Sequence, residues 1–390
     1  MEWRLWAQRN RVELILFAVA LVAYLLSSAG LVAHQSLAPH FVYQADAFLH
    51  GRLSLSAQPP NLNDWVFEGG RWYVSFPPFP AVLMMPLVAL FGLAFNDVAF
   101  TIVFAALNVA LFYRLARTVD PGRPQWDHAL WALLFGFGSL AWTCAIRGEV
   151  WYTAETVGVT LTLLYLLAAH EAKHPLAAGL AVGCAAITRT PLAFSAVFFV
   201  LEAWRRDDRA RRLLLFSAAV VGVGLPMAAM NFARFGSITE FGHSHLYANR
   251  VNQQIQQFGL FHYAFLERNL HAAFTRLPRL SFHPLRLGFD GEGMSLFVTT
   301  PLFFYLLWPR EKPRLHRALW LTTALVAVPG FFYQNSGWFQ FGFRFSLDYT
   351  PYLFLLLVLG RHPRTRVFWA AATASVAVNA WGAAVFNRLY

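Results

Sequence analysis

The chain has 390 residues, 57% of them hydrophobic and only 13% charged, against about 25% charged in a soluble domain. Apolar runs of roughly 17 to 25 residues recur along it, long enough to cross about 30 Å of hydrocarbon, which excludes a soluble domain and predicts an all-α polytopic membrane protein. The net charge of +11 does not imply nucleic acid, because most basic residues stand in short blocks between apolar runs, and the two cysteines, Cys144 and Cys184, imply neither a disulfide framework nor a metal cluster.

The first run, 12–33, follows the basic stretch "RLWAQRNR" and reads as a retained signal-anchor, since many further spans follow. The blocks "RLARTVDPGR", "WRRDDRARR", "PREKPRLHR" and "RHPRTR" belong in the cytoplasm, beside the anionic leaflet. About 11 transmembrane helices in a single domain, 1–390, then follow. Span 12–33 runs outward to a first outer loop, 34–96; 97–117 returns, 127–145 leaves to "IRGEVWYTAE", and 154–170 returns. Residues 175–203 carry Arg189 and Pro191 near their middle, so two half-spans meeting at "TRTP" are expected there, proline breaking the helix. Span 213–232 leads to a long outer loop, 233–290, and 293–308, 318–334, 347–360 and 367–387 follow.

Two outer segments read as juxtamembrane helices. A crossing by "PPFPAVLMMPLVALFG" (77–92) would put "RLARTVDPGR" outside, against the charge bias, so a helix at the outer interface is expected; a true span is the rival reading. In 258–277, Leu266, Leu270, Phe274 and Leu277 recur at helical spacing, which predicts one helix lying on the membrane surface.

The outer carboxylates are few and stand near membrane edges, where a charge costs free energy and tends to be kept for a reason. Asp46 lies about a dozen residues after the first span, with His50 and Arg52 close behind; a base near a lipid-borne substrate and a surface charge paired with Arg52 are both open. Arg147, Glu149 and Glu155 share the next outer turn, either as a local ion pair or as one wall of an outward cavity. Trp151 and Tyr152 between them read as interfacial anchors. Arg189 stands at the helix break, a layout that suits an ion or anionic head group. Arg344 stands one turn before Asp348, its expected i,i+4 partner. Converging arginines would bind phosphate, guanidinium being a planar set of donors. His243 and His245, in "GHSHL", read as a polar loop or a shared metal site, with His50 a third candidate for acceptor or metal contact. No Gly-rich nucleotide loop, HExxH or GxSxG occurs.

Several stretches together resemble the GT-C class of membrane glycosyltransferases, especially bacterial relatives of protein mannosyltransferases and aminoarabinose transferases. These are "ADAFLHGRL", "GGRWYVSFPPFPAVLMMPLVALFG", "ITRTPLAF", "NFARFGSITEFGH", "GMSLFVTTPLFF" and "GWFQFGFRFSLDYTPYL", spread over most of 40–355. The resemblance implies a multi-pass enzyme of the bacterial cytoplasmic (inner) membrane, its active site facing the periplasm or exterior. Such enzymes move a sugar from a polyprenyl-phosphate donor to the hydroxyl of a lipid, glycan or protein acceptor. It also implies an acidic residue in the first outer loop, the position Asp46 matches, and a second in the next outer turn, Glu149 or Glu155. Where relatives have Asp-Glu or Asp-Asp, Ala45 and Ala47 flank Asp46, and Phe76 stands where some place Lys or His before the proline pair. Phosphate contacts are therefore expected from Arg147, Arg189, Arg344 and Arg250, and the donor sugar stays open. The expected mechanism has Asp46 as general base at an oxocarbenium-like transition state, with arginines receiving the leaving phosphate. No cofactor is required, a divalent metal being the one candidate. The partners are the donor, the acceptor and membrane lipids, not nucleic acid. Rival readings are a transporter or flippase of a lipid-linked sugar, and a ligase of whole lipid-linked glycans.

Overall fold

A computed structural model describes residues 8, 10–246, 249–282 and 285–386, and of residues 249–252, 285 and 286 the backbone alone. The chain is overwhelmingly helical. The principal helices are α1 (Arg11–Ser28), α2 (His40–Leu49), α3 (Phe79–Phe91), α4 (Asp97–Val119), α5 (Gln125–Phe137), α6 (Val150–Ala169), α7 (Pro175–Ala186), α8 (Ala196–Ala203), α9 (Arg209–Phe235), α10 (Leu315–Phe332), α11 (Thr350–Leu359) and α12 (Arg366–Val385). Among the described residues six helical segments are long and apolar enough to cross a membrane: α1, α4, α6 with its extension to Ala172, α9, α10 and α12. Four apolar stretches are shorter: 79–94, 175–186, 190–203 and 350–359.

Polar side chains hold the inner helices together, as they must where lipid gives helices no hydrophobic reason to associate. Asn108 of α4 donates to the Thr156 carbonyl at 3.0 Å and accepts from Thr160 Oγ1 at 2.6 Å, and Thr101 and Thr153 hydroxyls meet at 2.7 Å. Small residues do the same for α7, where Gly179 presses against α9 too closely to admit a Cβ and Gly183 packs tightly against Val223. The α4–α6 pair is thus enclosed, whereas α1 and α9 leave most of their surface to lipid.

The helix break comes where proline puts it. α7 ends at Ala186, Arg189 is extended, and Pro191 opens a 3₁₀ turn, Thr190–Ser195, that leads into α8. α3 has 13 residues, roughly 20 Å at 1.5 Å per residue. Its first N–H donates to the Ile187 carbonyl at the break (3.0 Å), and the carbonyls of Leu93 and Phe95 just past its end accept from Gln35, just past α1 (2.7 and 2.8 Å). Both ends of α3 therefore bond to one end of the bundle. There Asn96 caps α4 through Ala99 N and reaches the Val32 carbonyl, while Asp97 accepts from the Ser36 N–H and hydroxyl.

The opposite end collects the basic blocks. Asp120 and Asp127 accept from Arg123, Arg361 and Arg364, which ties the segment after α4 to the one before α12. Glu202 is shared by Arg205 and Arg314, and Glu13 pairs with Arg117.

Three expected elements differ. The run 127–145 is not one helix: α5 stops at Phe137 and a short turn, Ala141–Ala145, follows Gly138. The segment 258–277 is not one surface helix either. Gly259, at φ +74°, ends the preceding helix, and helical turns resume only at Tyr263 behind a His262 cap on Ala264 N. The run 293–308 is broken by Pro301 into Leu296–Thr299 and a 3₁₀ stretch, Pro301–Leu307. Two hairpins the helical reading did not include, Trp65–Glu68 with Arg71–Val74 and Arg279–Phe282 with Leu285–Gly288, lie between α2 and α3 and between α9 and α10.

Candidate active site

A cavity of about 270 Å³ opens at the α3 end of the bundle. It is built from the segment between α2 and α3 (Asp64, Phe76), the start of α6 (Trp151), the helix break (Arg189), the segment after α9 (Glu240, His243), the end of α10 (Tyr333, Gln334) and the segment 343–349.

Asp64 enters through local constraints. Asn61 accepts from the Asn63 N–H and the Trp65 indole, and its amide donates to the Leu37 carbonyl. His40, stacked on Trp65 at 3.8 Å between ring centres, is within 3.1 Å of the Asn63 carbonyl through Nε2. The chain then turns through Asp64 at φ +60°, a conformation that Asp tolerates better than most residues. The Trp151 indole donates to Asp64 Oδ2 at 2.9 Å. Burial raises the Asp64 carboxyl above its ordinary value, with the Trp151 hydrogen bond and the Arg344 charge working against it.

The ionic wall is a chain of four groups, with Glu155, Arg344 and Asp348 buried and Arg189 partly so. Arg189 forks onto Asp348, Nε to Oδ1 at 2.5 Å and Nη2 to Oδ2 at 2.7 Å, and its Nη1 stands 3.6 Å from Glu155. Glu155 also receives Arg344 Nη1 at 2.6 Å. Arg344 Nε donates to the Gly337 carbonyl at 3.0 Å, and Nη2 makes no hydrogen bond among the described residues. Both guanidiniums lie over the Phe345 ring, at 5.2 and 5.0 Å. Asp348 is thus not the one-turn partner of Arg344 that the i,i+4 spacing suggested; it serves Arg189, 159 residues away.

The other sequence-derived candidates are placed as follows. Asp46, on α2, does not line the cavity. Its carboxylate stands 3.4 Å from Arg52 and 3.4 Å from His50, the two groups that follow it in sequence. Arg147 and Glu149 pair with each other beside the lining, with the Arg147 guanidinium 5.6 Å from the Tyr152 ring whose other neighbour is Arg344. His243 lines the cavity between Phe76 and Tyr333, and burial lowers its imidazole to about 4, so it is neutral at physiological pH. His245 turns away to Glu68 at 3.3 Å, and His50 is a surface residue. Among the described residues no group of three or more His, Cys, Asp or Glu could hold a metal ion. The Arg250 side chain lies outside the described residues. Sequence reasoning missed Asp64, Tyr333 and Gln334, and named Asp348 with the wrong partner. For Asp64 a signal existed, an acid in a polar "NLND" turn directly before an aromatic strand; for the others, nothing short of the fold joins them.

The profile of glycosyltransferase family 87 matches residues 73–332. No curated protein sequence matches the chain. Among solved structures, that of ArnT from Cupriavidus metallidurans bound to undecaprenyl phosphate is similar with a TM-score of 0.54 at 15% identity, over 92% of this chain and 61% of that one. The chain thus spans about three fifths of that protein's length, and the likeness is one of fold. The apo oligosaccharyltransferase of Archaeoglobus fulgidus is similar with a TM-score of 0.48 at 14% identity, over 94% of this chain and 56% of that one. The resemblance to GT-C membrane glycosyltransferases therefore holds in the fold as well as in sequence.

Proposed function

The chain belongs to glycosyltransferase family 87, and from that premise we propose that it moves a sugar from a polyprenyl-phosphate donor to an acceptor hydroxyl at the outer face of a bacterial cytoplasmic membrane. The observation that carries the reading is one cavity holding a carboxylate that makes no ion pair among the described residues, Asp64, together with two guanidiniums, Arg189 and Arg344. The acceptor, whether lipid, glycan or protein, enters from the watery side, and the carrier's apolar tail stays in the bilayer. Undecaprenyl phosphate, the ligand of the similar ArnT structure, is a carrier of this class.

Asp64 takes the role of general base in this reading, in place of Asp46, which stands outside the cavity beside Arg52 and His50. Asp64 removes the acceptor hydroxyl proton as that oxygen bonds to the anomeric carbon. The bond from that carbon to the phosphate oxygen breaks, and the phosphate leaves with the electron pair. Positive charge developing on the sugar ring is stabilised by the nearby carboxylate. The leaving phosphate meets Arg344 Nη2 and the Arg189 guanidinium, already oriented by Glu155 and Asp348, so little reorganisation is needed at the moment of reaction.

The test incubates the purified protein with a panel of polyprenyl-phosphate sugars and follows sugar release or transfer. Turnover of at least one is expected. A positioned base contributes about 10²- to 10⁴-fold, so Asp64→Asn should lose about that much while Asp46→Asn stays within a few-fold of wild type. Passage of the lipid-linked sugar across vesicles without bond cleavage would favour a flippase and end the transferase reading. Full activity in Asp64→Asn would return the base role to Asp46.

A further inference from the structure

The segment that carries Arg344 runs alongside 291–294. Gln340 N donates to the Gly291 carbonyl at 3.1 Å, Met294 N to the Phe341 carbonyl at 3.0 Å, and Phe343 N to the Met294 carbonyl at 3.1 Å. These bonds hold the main chain as far as Phe343 and stop one residue short of Arg344. The next N–H, that of Arg344, donates instead to the side chain of Gln340, reaching Oε1 at 2.8 Å. The other end of the same amide donates from Nε2 to the Glu292 carbonyl at 2.8 Å and to the Ser336 carbonyl at 2.9 Å.

Gln340 is fully buried and stands outside the cavity lining. Room for its amide is kept by Gly337, at φ +103°, where a Cβ would stand 2.5 Å from Gln340 Oε1. Cohesion alone does not call for such a group, since apolar side chains of the same shape replace buried hydrogen-bonding partners at little cost, whereas a fully satisfied polar network fixes one geometry. The geometry fixed here is that of Arg344. Its backbone is held by Gln340, its Nε by the Gly337 carbonyl at 3.0 Å and its Nη1 by Glu155 at 2.6 Å, which leaves Nη2 on a side chain that lines the cavity. The aim of that nitrogen matters, because the lining also carries the carboxylates of Asp64, Glu240 and Asp348. An anion displaced from the guanidinium would face like charges.

We propose that Gln340 is a positioning residue for the donor phosphate: it fixes the backbone from which Arg344 presents Nη2 to a phosphate oxygen. This rests on the assignment of Arg344 to the leaving phosphate made above. Gln340 touches no substrate and acts through Arg344 alone.

The experiment reads the phosphate without the chemistry. Farnesyl phosphate and farnesol are titrated into the full chain in lipid nanodiscs, and the ratio of their dissociation constants gives the preference for phosphate. Wild type should prefer the phosphate by about 10-fold or more, the scale of a charge-assisted hydrogen bond. Gln340→Met, of similar length and without the amide, should bring that ratio toward parity and leave the affinity for farnesol unchanged. In the background Glu155→Leu, Arg344→Met the same substitution should change neither constant, because a residue acting through Arg344 then has nothing to act on. Gln340→Asn keeps a buried amide that is one carbon too short to span the three groups; it should behave like Gln340→Met, and it carries the comparison if the methionine variant does not fold. A folded Gln340 variant that keeps the wild-type preference overturns the inference. So does a parallel loss of both ligands, or a further loss in the background without Arg344, each the mark of a merely structural residue. Failure of both variants to fold also overturns it, since cohesion would then be what the amide supplies. A wild type that binds the two ligands alike takes the phosphate away from Arg344, and so brings down the assignment on which this inference rests.

Discussion

Asp64 is pulled in two directions. Burial raises its carboxyl, while the Trp151 N–H and the Arg344 charge lower it, and the first effect is the larger. A base must be ionised, so transfer should fall as pH drops through a value above the ordinary carboxylate range. Trp151→Phe removes one of the two lowering contacts and keeps the ring, so the acid limb of the kcat/KM profile should move to higher pH. A limb that stays in place would show that the indole N–H does not act on Asp64. The stability sign follows from the same shift. A carboxyl raised on folding binds its proton more tightly in the native state, so its contribution is fully present below the unfolded value and is lost as pH rises through the folded one. Above that folded value the ionised Asp64 is therefore a net burden on the fold, and Asp64→Asn should raise the Tm there while abolishing most activity. Asp64 was hard to read from sequence for the same physical reason that it matters. Its placement depends on Asn61 within the turn and on His40 and Trp151, which hold that turn from two separate helices.

At the scale of elements, hydropathy and proline made the long helices and the 187–191 break legible, because lipid and the missing proline N–H act locally. What was not legible needed contacts between distant segments. Nothing local indicates that Arg344 bonds to Glu155 rather than to Asp348, or that Gly138 divides α5 from the turn after it. The four-group chain Asp348–Arg189–Glu155–Arg344 joins α6, the helix break and the segment before α11. Removing one member leaves an uncompensated buried charge, whereas removing a matched pair does not. Glu155→Leu should thus destabilise the protein by about 3–5 kcal/mol, read as a lowered Tm in detergent. The double variant Glu155→Leu, Arg344→Met should recover most of that stability and little transfer activity, since one of the two guanidiniums that meet the phosphate is then gone. Additive losses in the double variant would mean that the two groups are not coupled.

At the scale of the whole molecule, the ion pairs sort the chain into two ends. Asp120, Asp127 and Glu202 draw together basic segments after α4 and α8, before α10 and before α12, and none of those pairs reaches the cavity. Basic segments near span ends prefer the cytoplasmic side, so the cavity end is expected outside. The same contacts decide where α3 belongs, because its two ends bond to Ile187 and Gln35 at the cavity end. Single cysteines in a background lacking Cys144 and Cys184 can test both points with a membrane-impermeant maleimide. Ala57→Cys, exposed between α2 and the first hairpin, and Ala94→Cys, exposed just past α3, should both label in intact spheroplasts. Ala210→Cys, exposed at the start of α9, should label only after permeabilisation. The reverse pattern would invert the molecule and place the cavity toward the cytoplasm, where a lipid-linked donor would have to be used before export. Labelling of Ala57→Cys together with protection of Ala94→Cys until permeabilisation would mean that α3 crosses. The segment after α4 would then part from the other basic blocks, and the bonds from Gln35 to Leu93 and Phe95 could not exist. A 13-residue helix bonded at both ends to the same rim of the bundle is therefore expected to return the chain to the side it left, and the Ala57 and Ala94 labels read that out together.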